Sequence, residues 1–180
     1  MNSKFLTLPE NFENINTLRH DAHQSASTVR KTFWAGRYPV DSVKIALALG
    51  AEVYEAQLGN NIFGALLQDS EGSMRIYIDK DQPASSYRFS AAHELGHYVD
   101  RSRRLEVLPR DIDRRSSKMP DFNTVEGKRE ICADKFAGEL LMPQEEIQQQ
   151  RENKNTSPLR LAQLFNVPLP VTNHRIHTLS

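Results

Sequence analysis

Residues 85–99 read Ser-Ser-Tyr-Arg-Phe-Ser-Ala-Ala-His-Glu-Leu-Gly-His-Tyr-Val, and the rest of the chain is read outward from them. Phe89, Ala92, Leu95 and Val99 recur in steps of three and four, the spacing of one apolar stripe on an α-helix. Pro83 and the small residues after it suit the start of that helix. His93 and His97 are four positions apart, so their imidazoles stand one turn apart on a shared face. Two neutral imidazole nitrogens so placed can bind one tetrahedral zinc ion. Glu94 follows the first histidine, where its carboxylate can reach a water at the metal without being a ligand. Gly96 removes side-chain bulk where another element can approach closely.

A catalytic zinc takes three protein ligands and keeps one position open. Cys132 is the only cysteine, which excludes an intrachain disulfide and Cys-rich zinc sites. The ligands must therefore come from His, Asp or Glu. Glu130 is the favoured third ligand. It lies 33 positions after His97 (130 − 97), on the next strong helical segment, which begins at Thr124 and ends before Pro143. Glu126 and Glu139 compete with it. Asp134, one turn after Glu130, can accept a hydrogen bond from a ligand histidine and so fix its tautomer.

Around this pair of helices the chain reads as one α+β unit. Residues 15–34 are compatible with a helix. Pro39-Val40-Asp41 opens a second, capped by Asp41 and stopped by Gly50. Three strands are expected at Glu52–Gln57, Ile62–Gln68 and Met74–Asp79, the last two joined by a turn at Asp69–Gly72. An extended substrate is expected to lie along the Met74–Asp79 strand as along a sheet edge, with Arg75, Tyr77 and Tyr98 as contacts. Tyr98, Tyr87, Arg88 and the Arg-rich segment are candidate donors to a developing oxyanion. That segment, residues 101–118, reads as a solvated loop or else as a flap beside the site. Gln144 to Ser157 reads as a polar bridge to a final helical pair at Pro158–Phe165 and about Val171–Leu179. Phe63, Phe89, Phe136 and Cys132 are expected in the core, Trp34 in the core or at its edge. The pairs His20/His23 and His174/His177 are read as surface residues.

Lys plus Arg number 23, as do Asp plus Glu, so charge gives no general reason to expect nucleic acid or a membrane as the partner. The first sixteen residues lack the apolar core of a signal peptide, and no run is long enough to span a bilayer. A soluble, cytoplasmic protein is expected.

Two stretches carry a family likeness. Ser90-Ala91-Ala92-His93-Glu94-Leu95-Gly96-His97, together with Glu130-Ile131-Cys132-Ala133-Asp134-Lys135-Phe136-Ala137-Gly138-Glu139-Leu140-Leu141-Met142-Pro143, resembles the ImmA/IrrE zinc metallopeptidases. Asp134 stands where Asn is common in that family, and Ser90 where Thr is common. The resemblance implies a gluzincin-like minimal metallopeptidase, a small twisted sheet packed on an active-site helix and a glutamate helix. The resemblance covers roughly residues 30–145 with a weaker tail, and the chain is expected to divide into a zinc metallopeptidase domain with an N-terminal helical extension over 1–150 and a helix-turn-helix-like helical appendage over 151–180. Zinc would be held by His93, His97 and Glu130, with Glu94 as base and Asp134 behind the ligands. The implied substrate is a specific protein, a co-encoded helix-turn-helix repressor of a mobile element, stress regulon or toxin–antitoxin-like module. Direct binding of nucleic acid is not expected, because Pro168 and Pro170 interrupt the turn of the appendage. The alternative is a non-proteolytic zinc protein that sequesters a repressor or binds DNA.

Overall fold

In the computed structural model of the chain, residues 15–59, 61–69, 71, 73–103, 112–116, 121, 123–154 and 156–179 are described. The elements are α1 (Ile15–Phe33), α2 (Ser42–Ala48), β1 (Glu52–Ala56), β2 (Ile62–Gln68), β3 (Met74–Asp79), α3 (Ala84–Arg103), β4 (Ile112–Ser116), α4 (Val125–Leu141), α5 (Gln144–Lys154), α6 (Pro158–Phe165) and α7 (Leu169–Leu179). The architecture is α+β.

Local chemistry fixes several boundaries. The Asp41 side chain accepts from the Lys44 amide at 3.1 Å and caps α2, and Gly50 follows that helix with φ +89. Thr124 caps α4 by accepting from the Gly127 amide at 3.0 Å. Asp69 accepts from the amides of Glu71 and Ser73 and closes the turn between β2 and β3.

The four strands form one sheet in the order β1-β3-β2-β4. β3 runs parallel to β1 and antiparallel to β2, and β2 is antiparallel to β4. β3 is thus paired on both sides. It offers no edge, which corrects the expectation that substrate lies along Met74–Asp79. β4 corrects a second expectation, since residues 112–116 are a strand and not a loop. The sequence Ile-Asp-Arg-Arg-Ser has little apolar alternation, so it does not read as a strand on its own. The remainder of the Arg-rich segment, residues 104–111 and 117–118, lies outside the described residues, as does the irregular start of the chain.

Ile76 and Ile78 of β3 and Leu66 of β2 are fully buried beneath Phe89, Ala92 and Leu95 of α3. α3 is held on its other side by α4 through Phe136, Ala137 and Leu140. Each of the buried Ile, Leu and Phe side chains contributes about 1.5–3 kcal/mol, and the alanines less. α1 lies against α4 with small buried residues, Ser25, Ala26 and Ser27, so the two helices can approach closely. Phe63 is half-buried, as is Cys132, and neither belongs to the buried core as expected; Phe89 and Phe136 do. Trp34 packs partly buried against that core.

Past Pro143 the chain forms α5 in place of the expected polar bridge. Among its described side chains Ile147 is the one that is buried, 2% exposed, which is why its sequence shows no apolar stripe. α6 inserts Leu161 and Phe165 into the same core, and Tyr38 meets the Phe165 ring edge-on at 4.9 Å. α7 sends Arg175 inward to the Glu139 carboxylate of α4 and, at 3.3 Å, to the Met142 carbonyl. No helix among the described residues is long and apolar enough to cross a membrane.

Candidate metal centre

Two helices bring the donor atoms together. His93 and His97 share one face of α3, with ring centroids 4.8 Å apart and Nε2 atoms 3.1 Å apart. Glu130 reaches across from α4. Its Oε2 is 3.2 Å from His93 Nε2, and its Oε1 is 3.1 Å from His97 Nε2. Among the described residues this is the one group of three such side chains able to share an ion.

The close approach of the two helices depends on Gly96. A β-carbon there would stand 3.2 Å from the Ala133 Cα and from the Phe136 side chain. The bulk removed at Gly96 is therefore bulk that would separate α3 from α4, three residues beyond Glu130.

Protonation follows from the surroundings. His93 Nδ1 lies 2.8 Å from Asp134 Oδ1. A carboxylate at that distance holds the ring proton on Nδ1, so Nε2, facing the group, offers a lone pair to an ion; without an ion, a second proton on the ring lets Nε2 donate to Glu130. Burial works to raise the Glu130 carboxyl, but hydrogen bonds and charge from His93 and His97 outweigh it. The group is held far below the ordinary carboxylate range. The result is two imidazole nitrogens and a carboxylate gathered at 3.1–3.2 Å. A tetrahedral ion with bonds of about 2.0–2.1 Å sets its donors about 3.3 Å apart. The donor set and its spacing fit a divalent ion of zinc type.

Glu94 is fully buried beside this group. Its carboxylate lies against the backbone of β2 at Gly64, where a β-carbon would come within 2.6 Å of Oε1. The sequence reading passed over Gly64. A glycine inside a strand pattern was the available signal, because it weakens the strand unless something approaches closely.

The other expected site residues are engaged elsewhere. Arg75 lies on the sheet face opposite the buried Ile76 and Ile78, with its Nε 3.0 Å from Glu52 and its Nη1 3.3 Å from Asp69. Tyr77 stacks on Tyr54 at 5.3 Å on that same outer face. Tyr98 donates to the Leu49 carbonyl at 3.3 Å, and Arg88 to the Val40 carbonyl at 2.6 Å. Burial and a hydrogen bond to Glu55 push Tyr87 up to about 12. Arg75, Tyr77 and Tyr98 are thus not brought to the metal group, and neither are Tyr87 and Arg88. α3 is enclosed by the sheet, α2 and α4, so nearness in sequence to His93 does not bring a side chain to the group.

The competing ligands are also resolved. Glu126 is exposed at the start of α4. Glu139 is fully buried and bound to Arg175, with His23 Nε2 3.2 Å away. His23 is therefore a partner of a buried carboxylate and not a plain surface residue, whereas His174 and His177 are exposed.

The family model for the IrrE N-terminal-like domain, a peptidase family, matches residues 46–177. The chain belongs to the ImmA/IrrE family. Its match takes in all four strands, both helices of the metal group and most of α7. A comparison with curated proteins finds no match. A metallopeptidase-like function follows from the family, and the His93–His97–Glu130 group is a candidate metal site for such a function.

Proposed function

We propose that this member of the ImmA/IrrE family is a zinc-dependent endopeptidase that hydrolyses a peptide bond in one specific protein. The observation that carries the reading is the convergence of three lone-pair donors at 3.1–3.2 Å, with a buried carboxylate on the residue between them. His93, His97 and Glu130 hold the ion. Asp134 keeps the proton of His93 on Nδ1. The ion, when bound, supplies a Lewis acid and acidifies water beside it. Glu94 accepts the proton of the attacking water and returns it to the leaving amine. Burial of Glu94, His93 and His97 excludes bulk solvent from this exchange.

The outer edge of β4 is the sheet edge on the β2 side, and β2 is the strand beneath Glu94. An extended segment of substrate adding to that edge would gain main-chain hydrogen bonds near the reacting group. The proposed substrate is a co-encoded helix-turn-helix repressor, as in the cleavage systems the family resemblance implies, and the proposed compartment is the cytoplasm. The DNA-binding alternative loses support at α7. Its one arginine, Arg175, is turned inward, leaving Asn173, His174 and His177 as its exposed polar or basic face.

Elemental analysis tests the metal first. About one zinc per wild-type chain, lost in both His93→Ala and Glu130→Ala, is expected. Glu94→Gln should keep the zinc and lose peptidase activity toward the repressor by about 10²–10⁴-fold. Full activity in zinc-loaded Glu94→Gln would refute the mechanism.

A further inference from the structure

Gly64 sits in the middle of β2, a strand otherwise made of Ile, Phe, Ala and Leu up to Gln68. Glycine weakens a strand, because it has no side chain to pack and loses more backbone freedom on folding. Its presence therefore needs a cause. The bulge that β2 makes against β4 between Ile62 and Gly64 is not by itself that cause, since Gly64 lacks the positive φ that demands glycine and the positive-φ glycines among the described residues are Gly50 and Gly59. Space is. A β-carbon at Gly64 would stand 2.6 Å from Glu94 Oε1, 2.8 Å from its Cγ and 3.1 Å from its Cδ. All three atoms belong to one side chain, and that side chain is fully buried.

Glu94 has little room to retreat. It is carried on α3 between His93 and Leu95, both almost completely buried. Leu66, two positions along β2 on the same face as Gly64, fills its place in the core. Gly64 is thus a gap in a filled row of side chains, and the Glu94 carboxylate occupies that gap. None of the atoms nearest to an added β-carbon belongs to His93, His97 or Glu130.

We propose that Gly64 is a positioning residue for Glu94: β2 lacks a side chain there so that the carboxylate can lie against the strand at the height the site requires. Filling the gap displaces Glu94 while the three ligand side chains keep their places. The catalytic consequence rests on the reading of Glu94 as the proton carrier, but the steric claim stands apart from it.

A double-mutant cycle on thermal stability, measured with metal-free protein, tests the steric claim without any activity. Gly64→Ala at ordinary φ would by itself be stabilising, through the unfolded chain. Against Glu94 it should instead lower Tm by about 3–10 °C, the effect of overpacking a filled site. In a Glu94→Ala background the same change should cost less than ~2 °C or raise Tm. An equal loss in both backgrounds overturns the proposal. If Gly64→Ala does not fold, Gly64→Ala/Glu94→Ala must fold, and failure of both also overturns it. Zinc content by elemental analysis should remain at the wild-type level in Gly64→Ala, and loss of zinc there refutes the claim that the ligands are spared. With the repressor as substrate, kcat should fall about 10²-fold with KM nearly unchanged. Wild-type kcat in the variant would count against positioning. A wild type without peptidase activity would sink the functional reading, and the Tm cycle would still decide the role of Gly64.

Discussion

Arg175→Met is the most informative single perturbation outside the metal centre. Arg175 comes from α7 and meets Glu139 of α4, which is fully buried. Burial pushes the Glu139 carboxyl up, and the guanidinium of Arg175 pulls it back; the balance leaves it above its ordinary value of 4.5. Methionine fills much the same space with no charge. The carboxylate would then keep only His23, 3.2 Å away, and the more distant charge of Arg30 to oppose its burial.

The buried group escapes an unpaired charge by binding a proton, and that bounds the cost. Protonating a carboxyl of ordinary pKa 4.5 at pH 7 spans 2.5 units, about 3.4 kcal/mol at about 1.4 kcal/mol per unit. This agrees with the roughly 3–5 kcal/mol of breaking a buried ion pair from one side. The sign of the pH dependence follows. In the variant the folded-state pKa of Glu139 is raised further, so the folded state binds the extra proton. Relative stability therefore improves as pH falls from neutrality toward the unfolded pKa. Urea unfolding of wild type and variant at matched pH should give a difference of at most about 3.4 kcal/mol at pH 7, less whatever the raised wild-type Glu139 already costs, and it should shrink to below about 1.4 kcal/mol at pH 5.5. Titrations common to both proteins cancel in that difference. Glu139→Gln/Arg175→Met should recover most of the loss, because no charge is then buried. A difference that is independent of pH, or a double variant no better than the single one, would show that Arg175 acts by packing and not by neutralising Glu139.

Asp134→Ala removes the acceptor at His93 Nδ1, 2.8 Å away, and should weaken zinc affinity about 10–100-fold with little change in the fold, as read by competition with a chelating dye. Gly96→Leu forces bulk against Ala133 and Phe136, where even a β-carbon has 3.2 Å; it should cost about 1–3 kcal/mol in urea unfolding and reduce zinc stoichiometry together. Chelation of bound zinc should lower Tm and re-addition restore it, by an amount that grows with free zinc concentration, since an ion bound to the folded state stabilises by mass action. An unchanged Tm across chelation would mean that the His93–His97–Glu130 group binds no ion.

What was legible in the sequence was local. His93 and His97 at helical spacing, Asp41 and Thr124 as caps, and the alternation in Met74–Asp79 each announce themselves within a few residues. Glu130 was legible as the favoured ligand because it lies on the next strong helix, although Glu126 and Glu139 offered the same chemistry. Three-dimensional packing decides among them, since Glu139 is bound to Arg175, 36 positions away. β4 was not legible because a charged outer strand takes its order from β2 and not from its own side chains. α5 was not legible because one buried residue, Ile147, leaves no stripe. Tyr98, Tyr87 and Arg88 find their partners away from the metal group for a common reason. A helix packed on several sides points sequence neighbours of a ligand toward different partners.

The spacing of the site is set where side chains are missing. α3 meets β2 at Gly64 and α4 at Gly96, and each glycine occupies a contact that a β-carbon would crowd. On α3 the two contacts fall at Glu94 and at Gly96, next to His97, so they act on different parts of one site. The approach at Gly96 governs how far Glu130 must reach to meet His93 and His97 at 3.1–3.2 Å. The approach at Gly64 governs where the Glu94 carboxylate lies. A residue added at either point moves a functional group by pushing on rigid secondary structure, with no change to the group itself. Metal binding and proton transfer should therefore be separable by mutation, the first sensitive at Gly96 and the second at Gly64. A protein in which both glycine substitutions impaired zinc binding equally would have a single shared packing core beneath the site, and not two independent contacts.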